Sequence, residues 1–426
     1  MPPRPGGDGL GVWLTLYQVV TLLLEPAVPS ILRGRAKRGK EDPTRIGERF
    51  GCPTRPRPAG PLVWLHGVSV GESQSLLPLV SALKAARPEI NILVTSGTKT
   101  SANLLAKRLP PDVMYQYAPV DVPGAVGRFL NHWRPAVGVL VESELWPNLI
   151  LKAQAKGVKL VLASARITAK SAAGWQRMGS SARQLLGTFK VLMPQDAETA
   201  GRLEKLGGTI GPFANLKRVG QALAYDQEEL KALKTYSTGR PVILASNTHP
   251  GEETLICQAG LGLGALLVVA PRHPERGNEV AKSLEALGLK VCRRSKGETL
   301  SSDHQVYLAD TLGEMGLMYA WADVAVMGGS FFPGIGGHNP LEPARMGVPI
   351  ITGPYVFNAS DLYGEMLDAV AAIEVADGPE LTRSLTGLIA NPQIRRQMTD
   401  AALAYAAQQG VALDTVMSAL LPLIDA

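Results

Sequence analysis

The sequence predicts an α/β protein made of two doubly wound, Rossmann-like domains. The chain has 426 residues, which is long for a single domain. Short apolar runs, mostly bounded by Gly, Pro, Ser or Asp, alternate along it with segments of helical spacing. This alternation pauses once, between Gly207 and Arg240, and then starts again. Alternation of this kind is typical of right-handed βαβ units and parallel sheets, so the pause divides the chain into two such sheets.

The composition is that of a globular protein, with 46% hydrophobic and 19% charged residues. A net charge of +6 suits an anionic partner without selecting among lipids, nucleotides and nucleic acids, and an ordinary basic surface explains it equally well. The three cysteines are far apart and form no CxxC pair, which argues against a disulfide framework and favours a reducing compartment. The six histidines have no HxxxH or HxH spacing, so we predict no metal site.

The N-terminus predicts a membrane anchor over residues 1–32. Residues 9–24 carry no charge, but this run is shorter than the roughly 20 residues that span hydrocarbon. The basic segment RGRAKRGK follows at residues 33–40, which places the body of the protein in the cytoplasm and the segment against anionic headgroups. A buried or interfacial amphipathic helix is the alternative. A cleaved signal is disfavoured because only Arg4 precedes the apolar run.

The predicted strands fall in two groups, which define domains at residues 40–215 and 236–426. Those of the first domain are Leu62–Leu65, Ile90–Thr95, Val113–Tyr117, Ala136–Val141, Val158–Ala163 and Phe189–Met193. Those of the second are Val242–Ala245, Leu266–Val269, Val291, Val306–Leu308, Val324–Met327 and Pro349–Ile351. Helical spacing covers residues 100–109 and 197–206. Such sheets bind ligands at the carboxyl ends of their strands, and we expect these two edges to face one cleft.

Two acidic segments follow strands of the first domain. In HGVSVGES, residues 66–73, Glu72 opens a helix, where it either complements the helix dipole or acts as a general base. In VESELWPN, residues 141–148, Glu142 and Glu144 either cap the next helix or line a polar site.

Two segments of the second domain are candidates for binding a nucleotide. Arg272 and His273, in APRHPER, can hold a phosphate or a base edge, or belong to a solvated basic loop. The stronger candidate runs from Gly328 to Ala344 and has five glycines within ten residues.

In this glycine-rich segment we expect Asn339 to be the N-cap and Pro340 the first residue of a helix. Backbone N–H groups around Gly329 and Ser330 would then bind phosphate. Glu342 either caps the helix or accepts hydrogen bonds from a ribose. The sequence has no Walker A motif. It also has no GxGxxG after the first strand, and this second absence argues against an NAD-binding site.

From about residue 40 to its end, the sequence resembles the bacterial 3-deoxy-D-manno-octulosonic acid (Kdo) transferase family. The resemblance is carried by HGVSVGES, VESELWPN, ANLK (214–217), SNTHPGEE (246–253), APRHPER, LGEM (312–315) and GGSFFPGIGGHNPLEPA (328–344). It implies a GT-B fold, CMP-Kdo as the donor and a lipid A precursor as the acceptor. Ala214 stands where Gly is common, and Asn247 is a second small departure.

The resemblance also implies roles for individual residues. Glu72 matches the catalytic base, while Lys217 and one of the two glutamates, Glu142 or Glu144, match the residues thought to assist the transition state. The positions that match CMP contacts are Pro271, Arg272, Gly313, Glu314, Met315, Asn339, Pro340, Leu341 and Glu342.

The sequence therefore predicts an inverting, metal-independent Kdo transferase of lipopolysaccharide synthesis, with no cofactor, attached to the inner membrane. Its catalytic body would lie on the cytoplasmic side, in contact with anionic lipids. A GT-B transferase that uses a UDP-sugar and a lipid carrier is the alternative within enzymes. A non-catalytic sugar or nucleotide binder is the alternative outside them. No basic stripe with interleaved aromatic residues suggests a nucleic-acid partner.

Overall fold

The computed structural model describes residues 10–237 and 239–425. The first nine residues of the predicted anchor, and Thr238 and Ala426 of the predicted second domain, lie outside the described residues. The chain forms two compact units. Unit 1 comprises Met1–Gly220 and Gly410–Ala426, and unit 2 comprises Gln221–Gln409.

Unit 1 is built on a six-stranded parallel sheet with the strand order β3-β2-β1-β4-β5-β6. Its strands are β1 (Leu62–His66), β2 (Asn91–Ser96), β3 (Met114–Tyr117), β4 (Val137–Val141), β5 (Lys159–Ala165) and β6 (Phe189–Pro194). Helices cover both faces of the sheet, and separate apolar clusters fill the two sides. Burial on both faces explains why these strands are continuous apolar runs in the sequence.

The helices of unit 1 follow the strands in alternation, after three helices at the N-terminal end. They are α1 (Val12–Leu24), α2 (Val28–Lys37), α3 (Ile46–Arg49), α4 (Val70–Ala86), α5 (Lys99–Arg108), α6 (Pro123–Trp133), α7 (Pro147–Ala155), α8 (Ala169–Gln176), α9 (Ser180–Leu186) and α10 (Ala197–Lys205). The predicted helical segments 100–109 and 197–206 are confirmed as α5 and α10 to within one residue at each end.

Unit 2 contains a seven-stranded parallel sheet in the order β13-β12-β11-β7-β8-β10-β9. Its strands are β7 (Val242–Thr248), β8 (Leu266–Pro271), β9 (Val291–Arg293), β10 (Val306–Leu308), β11 (Val324–Met327), β12 (Ile350–Thr352) and β13 (Ala372–Glu374). The prediction of two doubly wound α/β sheets is confirmed. The edge strand β13 was not predicted.

The helices of unit 2 complete its two faces. They are α11 (Gln227–Ser237), α12 (Glu252–Gly260), α13 (Gly277–Glu285), α14 (Met315–Trp321), α15 (Leu341–Arg345), α16 (Ser360–Asp368), α17 (Gly378–Ala390) and α18 (Pro392–Asp425). The last helix, α18, has 34 residues and belongs to both units. Met398 and Ala402 pack in cores of unit 2, whereas Val416 and Leu420 pack in a core of unit 1. The expected second domain, residues 236–426, therefore differs from unit 2, because the final turns of α18 belong to unit 1.

The predicted apolar N-terminal helix is present. Residues Val12–Lys37, which include a short 3₁₀ turn at Glu25–Ala27, are long and apolar enough to cross a bilayer. One face of α1 nevertheless packs on unit 1. Tyr17 Oη donates to Asp121 Oδ2 at 2.9 Å, and Asn148 Nδ2 donates to Thr21 Oγ1 at 2.9 Å. The remaining faces expose large apolar side chains, among them Val12, Trp13, Leu16, Val20, Leu23 and Leu24.

Candidate active site

Glu72 lies in the first turn of α4, directly after β1. Its backbone N–H donates to the Oγ of the N-cap Ser69 at 3.2 Å. In return, Ser69 Oγ donates to Glu72 Oε1 at 2.7 Å and the Val68 N–H donates to Oε2 at 2.6 Å. The exchange between Ser69 and Glu72 resembles a capping box in which the Val68 N–H takes the place of the N-cap N–H, so the Glu72 side chain helps to cap its helix. Each carboxylate oxygen receives one donor and keeps capacity for another, so the carboxylate is fixed in place yet can accept a hydroxyl proton.

The turn before Glu72 needs a glycine. A Cβ at Gly67 would lie 3.0 Å from the Cβ of Glu72 and 3.1 Å from Val141 Cγ2, which is tighter than normal packing. The absence of a side chain at this position lets the start of α4 approach the end of β4. The two acidic segments of the sequence therefore meet at one edge of the sheet.

Glu142 follows β4 and forms an ion pair with Lys217, whose Nζ lies 2.8 Å from Glu142 Oε1. Glu142 is 6% exposed and has a φ of +61°, a strained conformation for a residue with a side chain. Burial raises the pKa of Glu142; the hydrogen bond and charge of Lys217 oppose this rise, and the negative charge of Glu72 adds to it. Glu72, Glu142 and Lys217 thus form one electrostatic cluster.

Glu144 has different partners. Its Oε2 accepts a hydrogen bond from Trp146 Nε1 and lies 3.5 Å from His66 Nε2. The sequence left open which glutamate accompanies Lys217. The structure pairs Lys217 with Glu142 and directs Glu144 to His66 and Trp146.

In unit 2, Pro271 ends β8, and Arg272 and His273 follow it with exposed side chains. The Arg272 N–H donates to the carbonyl of Thr248 at 3.0 Å, which fixes this loop beside the end of β7. The positive charge of Arg272 acts on both Glu342 and His338, so these groups lie near one another. Burial is the main cause that raises the pKa of Glu342.

A pair of histidines, which the sequence analysis did not select, lies in the same region. His249 Nε2 and His338 Nε2 are 2.9 Å apart, and the ring of His273 lies 6.0 Å from that of His249. Burial, followed by the charges of His249 and Arg272, lowers the pKa of His338 to about 4. Both residues belong to the motifs SNTHPGEE and GGSFFPGIGGHNPLEPA. The sequence signal that could have identified these histidines is their position inside two motifs, each of which follows a strand.

The glycine-rich loop is organised around Glu252, a third residue that could not be selected from the sequence. Its carboxylate is 1% exposed and accepts three consecutive loop N–H groups, from Gly329 at 2.7 Å, Ser330 at 3.1 Å and Phe331 at 3.0 Å. The His249 N–H also donates to it, at 2.9 Å. The N–H groups that we expected to hold phosphate therefore bind a carboxylate of the protein itself in this structure. The hydroxyl of Ser330 is committed as well, because it donates to the Met327 carbonyl and accepts from the Gly353 N–H.

The helix after this loop starts one residue later than predicted. Its N-cap is Pro340 and its first residue is Leu341, so the expectation that Asn339 is the N-cap was wrong. Asn339 Oδ1 accepts from the Leu341 N–H at 3.1 Å, so the side chain still caps the helix from the preceding position. Asn339 is exposed, whereas Pro340 and Leu341 are buried.

The segment Gly313–Met315 follows β10 and ends at Met315, the first residue of α14. Gly313 is exposed with a φ of +85°, which favours glycine at this turn. The carboxylate of Glu314 is bound by Arg294 Nε at 2.6 Å and by the hydroxyl of Thr311. The hydrogen bond from Arg294 is the main cause that lowers the pKa of Glu314. Met315 packs against the apolar cluster beneath.

Among the residues that the structure describes, no group of three or more His, Cys, Asp or Glu side chains is arranged to hold a metal ion. Acid–base groups in unit 1 and cationic groups in unit 2 lie instead at the carboxyl ends of parallel strands, where such sheets bind ligands.

Two Rossmann-like units of this kind form the GT-B fold. A solved glycosyltransferase from Rickettsia africae shares the fold, with a TM-score of 0.56 and 12% identity over 86% of this chain and 99% of that chain. Residues 44–219 match the family described as 3-Deoxy-D-manno-octulosonic-acid transferase (kdotransferase).

Full-length relatives agree with this match. The chain is 36% identical to the 3-deoxy-D-manno-octulosonic acid transferase of Bordetella pertussis, covering 89% of this chain and 90% of the relative. It is 34% identical to a probable mitochondrial 3-deoxy-D-manno-octulosonic acid transferase of Arabidopsis thaliana, covering 90% of each. The chain belongs to the Kdo transferase family. It is a glycosyltransferase that transfers Kdo in lipopolysaccharide biosynthesis, as the resemblance implied.

Proposed function

We propose that the enzyme transfers Kdo from CMP-Kdo to a hydroxyl of a phosphorylated, acylated lipid A precursor (lipid IVA), with inversion and with Glu72 as the base. The observation that carries this proposal is the placement of Glu72. Its carboxylate is held by Ser69 and Val68 at the carboxyl end of β1, beside the Glu142–Lys217 pair. A carboxylate fixed in this way can take a proton without first reorganising.

The reaction is a single displacement. The acceptor hydroxyl loses its proton to Glu72, and its oxygen forms a bond to the anomeric carbon of Kdo. The bond from that carbon to the phosphate oxygen breaks at the same time, and CMP leaves with the bonding electrons. Attack opposite to the leaving group inverts the anomeric centre. Glu72 returns its proton to solvent after the product departs.

Lys217 and Glu142 assist this step electrostatically. The reacting species carry negative charge on the Kdo carboxylate and on the departing phosphate, and the Lys217 ammonium supplies positive charge close to the base. Glu142 holds that ammonium through the 2.8 Å contact between its Oε1 and Lys217 Nζ. We assign Glu144 a positioning role instead, because its carboxylate orients Trp146 and faces His66.

Unit 2 binds the CMP moiety. The matched positions lie at the end of β8 or after it (Pro271–Arg272), after β10 (Gly313–Met315) and after β11 (Asn339–Glu342). The carboxyl ends of these strands lie at one edge of a single sheet. Arg272 supplies an exposed guanidinium for phosphate, and His273 supplies a neighbouring polar ring. Glu342 is placed near Arg272 and can accept hydrogen bonds from the ribose. In this proposal Gly329 and Ser330 shape the loop through their hydrogen bonds to Glu252, and Glu314 orients its segment through Arg294.

The N-terminal helix attaches the enzyme to the cytoplasmic face of the inner membrane. Support comes from the apolar exposed faces of α1 and from the basic residues 33–40. Because Tyr17 and Thr21 hold one face of α1 to unit 1, we propose that α1 lies in the membrane interface.

The test is a transfer assay with CMP-Kdo generated in the reaction and a tetraacylated, bisphosphorylated lipid A precursor as the acceptor. Wild-type enzyme should form the Kdo-bearing lipid. Glu72→Gln, which keeps the shape of the side chain but removes the base, should bind CMP normally and form no product. Binding of UDP in place of CMP, or full activity of Glu72→Gln, would contradict the donor or the base assignment, respectively.

A further inference from the structure

A cavity of about 370 Å³ lies at the carboxyl edge of the sheet in unit 1. Its lining includes Arg35, Arg49, His66, Asp121 and Trp146. It also includes Val68, whose N–H donates to the Glu72 carboxylate, so the cavity adjoins the base. The residues that bind the leaving nucleotide in our proposal do not line this cavity.

The two arginines share one carboxylate. Arg35 Nε donates to Glu41 Oε1 at 2.8 Å, and Arg49 Nε lies 3.4 Å from Glu41 Oε2 without forming a hydrogen bond to any described residue. Glu41 is 2% exposed, and the side chain of Arg49 is 14% exposed. Two guanidinium groups face one carboxylate, so Arg35, Arg49 and Glu41 together carry one net positive charge. Some guanidinium N–H groups, including that of Arg49 Nε, have no acceptor among the described residues.

His66 adds a buried polar atom without a hydrogen-bond partner. The residue is 1% exposed, and its Nδ1 lies 2.9 Å from Thr95 Oγ1, which also accepts from Trp64 Nε1. The Thr95 hydroxyl proton is better placed for His66 Nδ1 than for the Leu65 carbonyl at 3.4 Å. The network therefore assigns the ring proton to Nε2, which has no hydrogen-bond partner among the described residues and has a Glu144 oxygen 3.5 Å away.

The acceptors of the cavity, in contrast, are already in use. Asp121 Oδ2 accepts from Tyr17 Oη and from the Asn148 N–H, and its Oδ1 accepts from the Leu149 N–H. Burial also raises the pKa of Asp121. A cavity with spare donors and committed acceptors is suited to a ligand that is rich in acceptors, such as a phosphate group.

Trp146 connects this cavity to an apolar groove. The indole is 41% exposed, and it also lines a groove of about 440 Å³ formed with Trp13 and Leu16 of α1 and with Trp175 and Met178. A ligand that fills both spaces has an anionic group on one side of Trp146 and an apolar chain on the other.

We propose that the cavity binds a phosphate of the amphiphilic acceptor through Arg35, Arg49 and His66, while an acyl chain of the same molecule lies in the groove across Trp146. This inference rests on the proposed function and extends it to the acceptor. It makes the phosphate of the acceptor a determinant of binding close to the base, and it makes the N-terminal helix part of the acceptor site.

The test measures binding directly, by the change in tryptophan fluorescence on titration with acceptor lipids in detergent, and runs transfer assays beside it. The acceptors are the bisphosphorylated lipid, its dephosphorylated form and the deacylated bisphosphorylated disaccharide. Arg35→Ala should weaken binding of the phosphorylated lipid about tenfold to hundredfold and leave the dephosphorylated lipid unchanged. Arg33→Ala is the matched control, because it removes the same charge from the exposed basic segment without altering the cavity.

A separate substitution tests whether the apolar groove binds an acyl chain. Met178→Asp should weaken binding of the acylated lipid and leave binding of the deacylated disaccharide unchanged. His66→Leu removes the Nε2–H donor and leaves both arginines in place, so it should weaken binding of the phosphorylated lipid as Arg35→Ala does. Agreement between the two variants guards against a local folding defect in either one.

The outcomes separate the two proposals. If wild-type enzyme binds the phosphorylated and dephosphorylated lipids equally, or if Arg35→Ala weakens both alike, the cavity does not bind phosphate and this inference is wrong. An equal effect of Met178→Asp on acylated and deacylated acceptors would overturn the assignment of the groove. Phosphate-dependent binding that is lost in Arg35→Ala, in an enzyme that transfers no Kdo to these lipids, would support the cavity and contradict the proposed acceptor reaction instead.

Discussion

Lys217 Nζ lies 2.8 Å from Glu142 Oε1, and the backbone of Glu142 at this contact is left-handed, with a φ of +61°. In an extended strand, residues 142 and 144 would point to the same side. The positive φ at Glu142 breaks this alternation and sends Glu144 to His66 and Trp146 instead. Two hydrogen bonds hold the strained residue, from the Glu142 N–H to the Ala163 carbonyl and from the Arg166 N–H to the Glu142 carbonyl.

The two glutamates should therefore respond differently to the same substitution. In Glu142→Gln the ammonium of Lys217 loses its carboxylate beside the base, and we expect kcat to fall by about a hundredfold or more. In Glu144→Gln the amide oxygen can still accept from Trp146, and we expect a fall of less than about tenfold. Steady-state kinetics with both substrates measures this, with the KM for CMP-Kdo expected to stay constant. Equal losses in the two variants would show that the ion pair with Lys217 has no special part in the reaction.

Lys217 and Glu142 should act as one unit. Lys217→Met removes the positive charge, and it should reduce kcat about as much as Glu142→Gln does, roughly a hundredfold. The double variant should be about as slow as the slower single variant, because each substitution already removes the pair. A double-mutant cycle on kcat measures the coupling. Losses that simply multiply would mean that the two side chains act independently, despite the contact between them.

Glu252 should hold the glycine-rich loop. Glu252→Gln replaces one oxygen, which accepts loop N–H groups, with an amide that donates, so at least one buried N–H loses its partner. We expect the free energy of unfolding of the protein to fall by about 2–4 kcal/mol and the affinity for CMP to fall with it. Thermal unfolding and CMP titration measure the two effects. Glu228→Gln, an exposed glutamate of the same unit, is the control and should change neither.

The histidine cluster of unit 2 should make the protein less stable in acid. The pKa of His338 is about 4 in the folded protein, below the ordinary value of 6.5, and that of His249 is also lowered by burial. Between about pH 6.5 and 4 the unfolded chain binds a proton that the folded protein does not, so this contribution to stability is present above pH 6.5 and is lost as the pH falls.

From pH 7 to pH 5 the shift of His338 should cost about 2 kcal/mol. The positive charges of His249, Arg272 and His273 are among the causes of this shift, because they oppose protonation of His338. Denaturant unfolding at several pH values measures the slope. His338→Gln should flatten it, and a variant with the slope of the wild type would contradict the role of this residue.

The sequence predicts most of this architecture because its strands are buried on both faces and form clear apolar runs. The edge strand β13 escaped prediction because Ala372–Glu374 is only three residues long and ends in an exposed glutamate. The assignment of α18 to both units could not be inferred from its apolar positions, which do not specify their partner. The role of Glu252 was hidden for a similar reason, because its partners in the loop are 77–79 residues away in sequence. Glu72 and Lys217, in contrast, stand in sequence motifs that select them directly as candidate site residues.

The exposed apolar face of α1 should determine binding to membranes. Leu16 and Leu23 are exposed by 48% and 74%, whereas Tyr17 and Thr21 face unit 1. Replacing both leucines with glutamine removes apolar area that the membrane interface would bury, and the partition onto vesicles should fall by about a hundredfold. Flotation with vesicles that contain anionic lipid measures this partition.

Val411→Gln, which alters another exposed apolar residue far along the chain from α1, is the matched control and should leave flotation unchanged. High salt should weaken binding of the wild type further, because the basic residues 33–40 contribute through screened charges. An interfacial helix held by one face should release the protein at alkaline pH, whereas a spanning helix would remain in the bilayer. Retention of the double leucine variant on vesicles at wild-type levels would show that α1 is not the attachment surface.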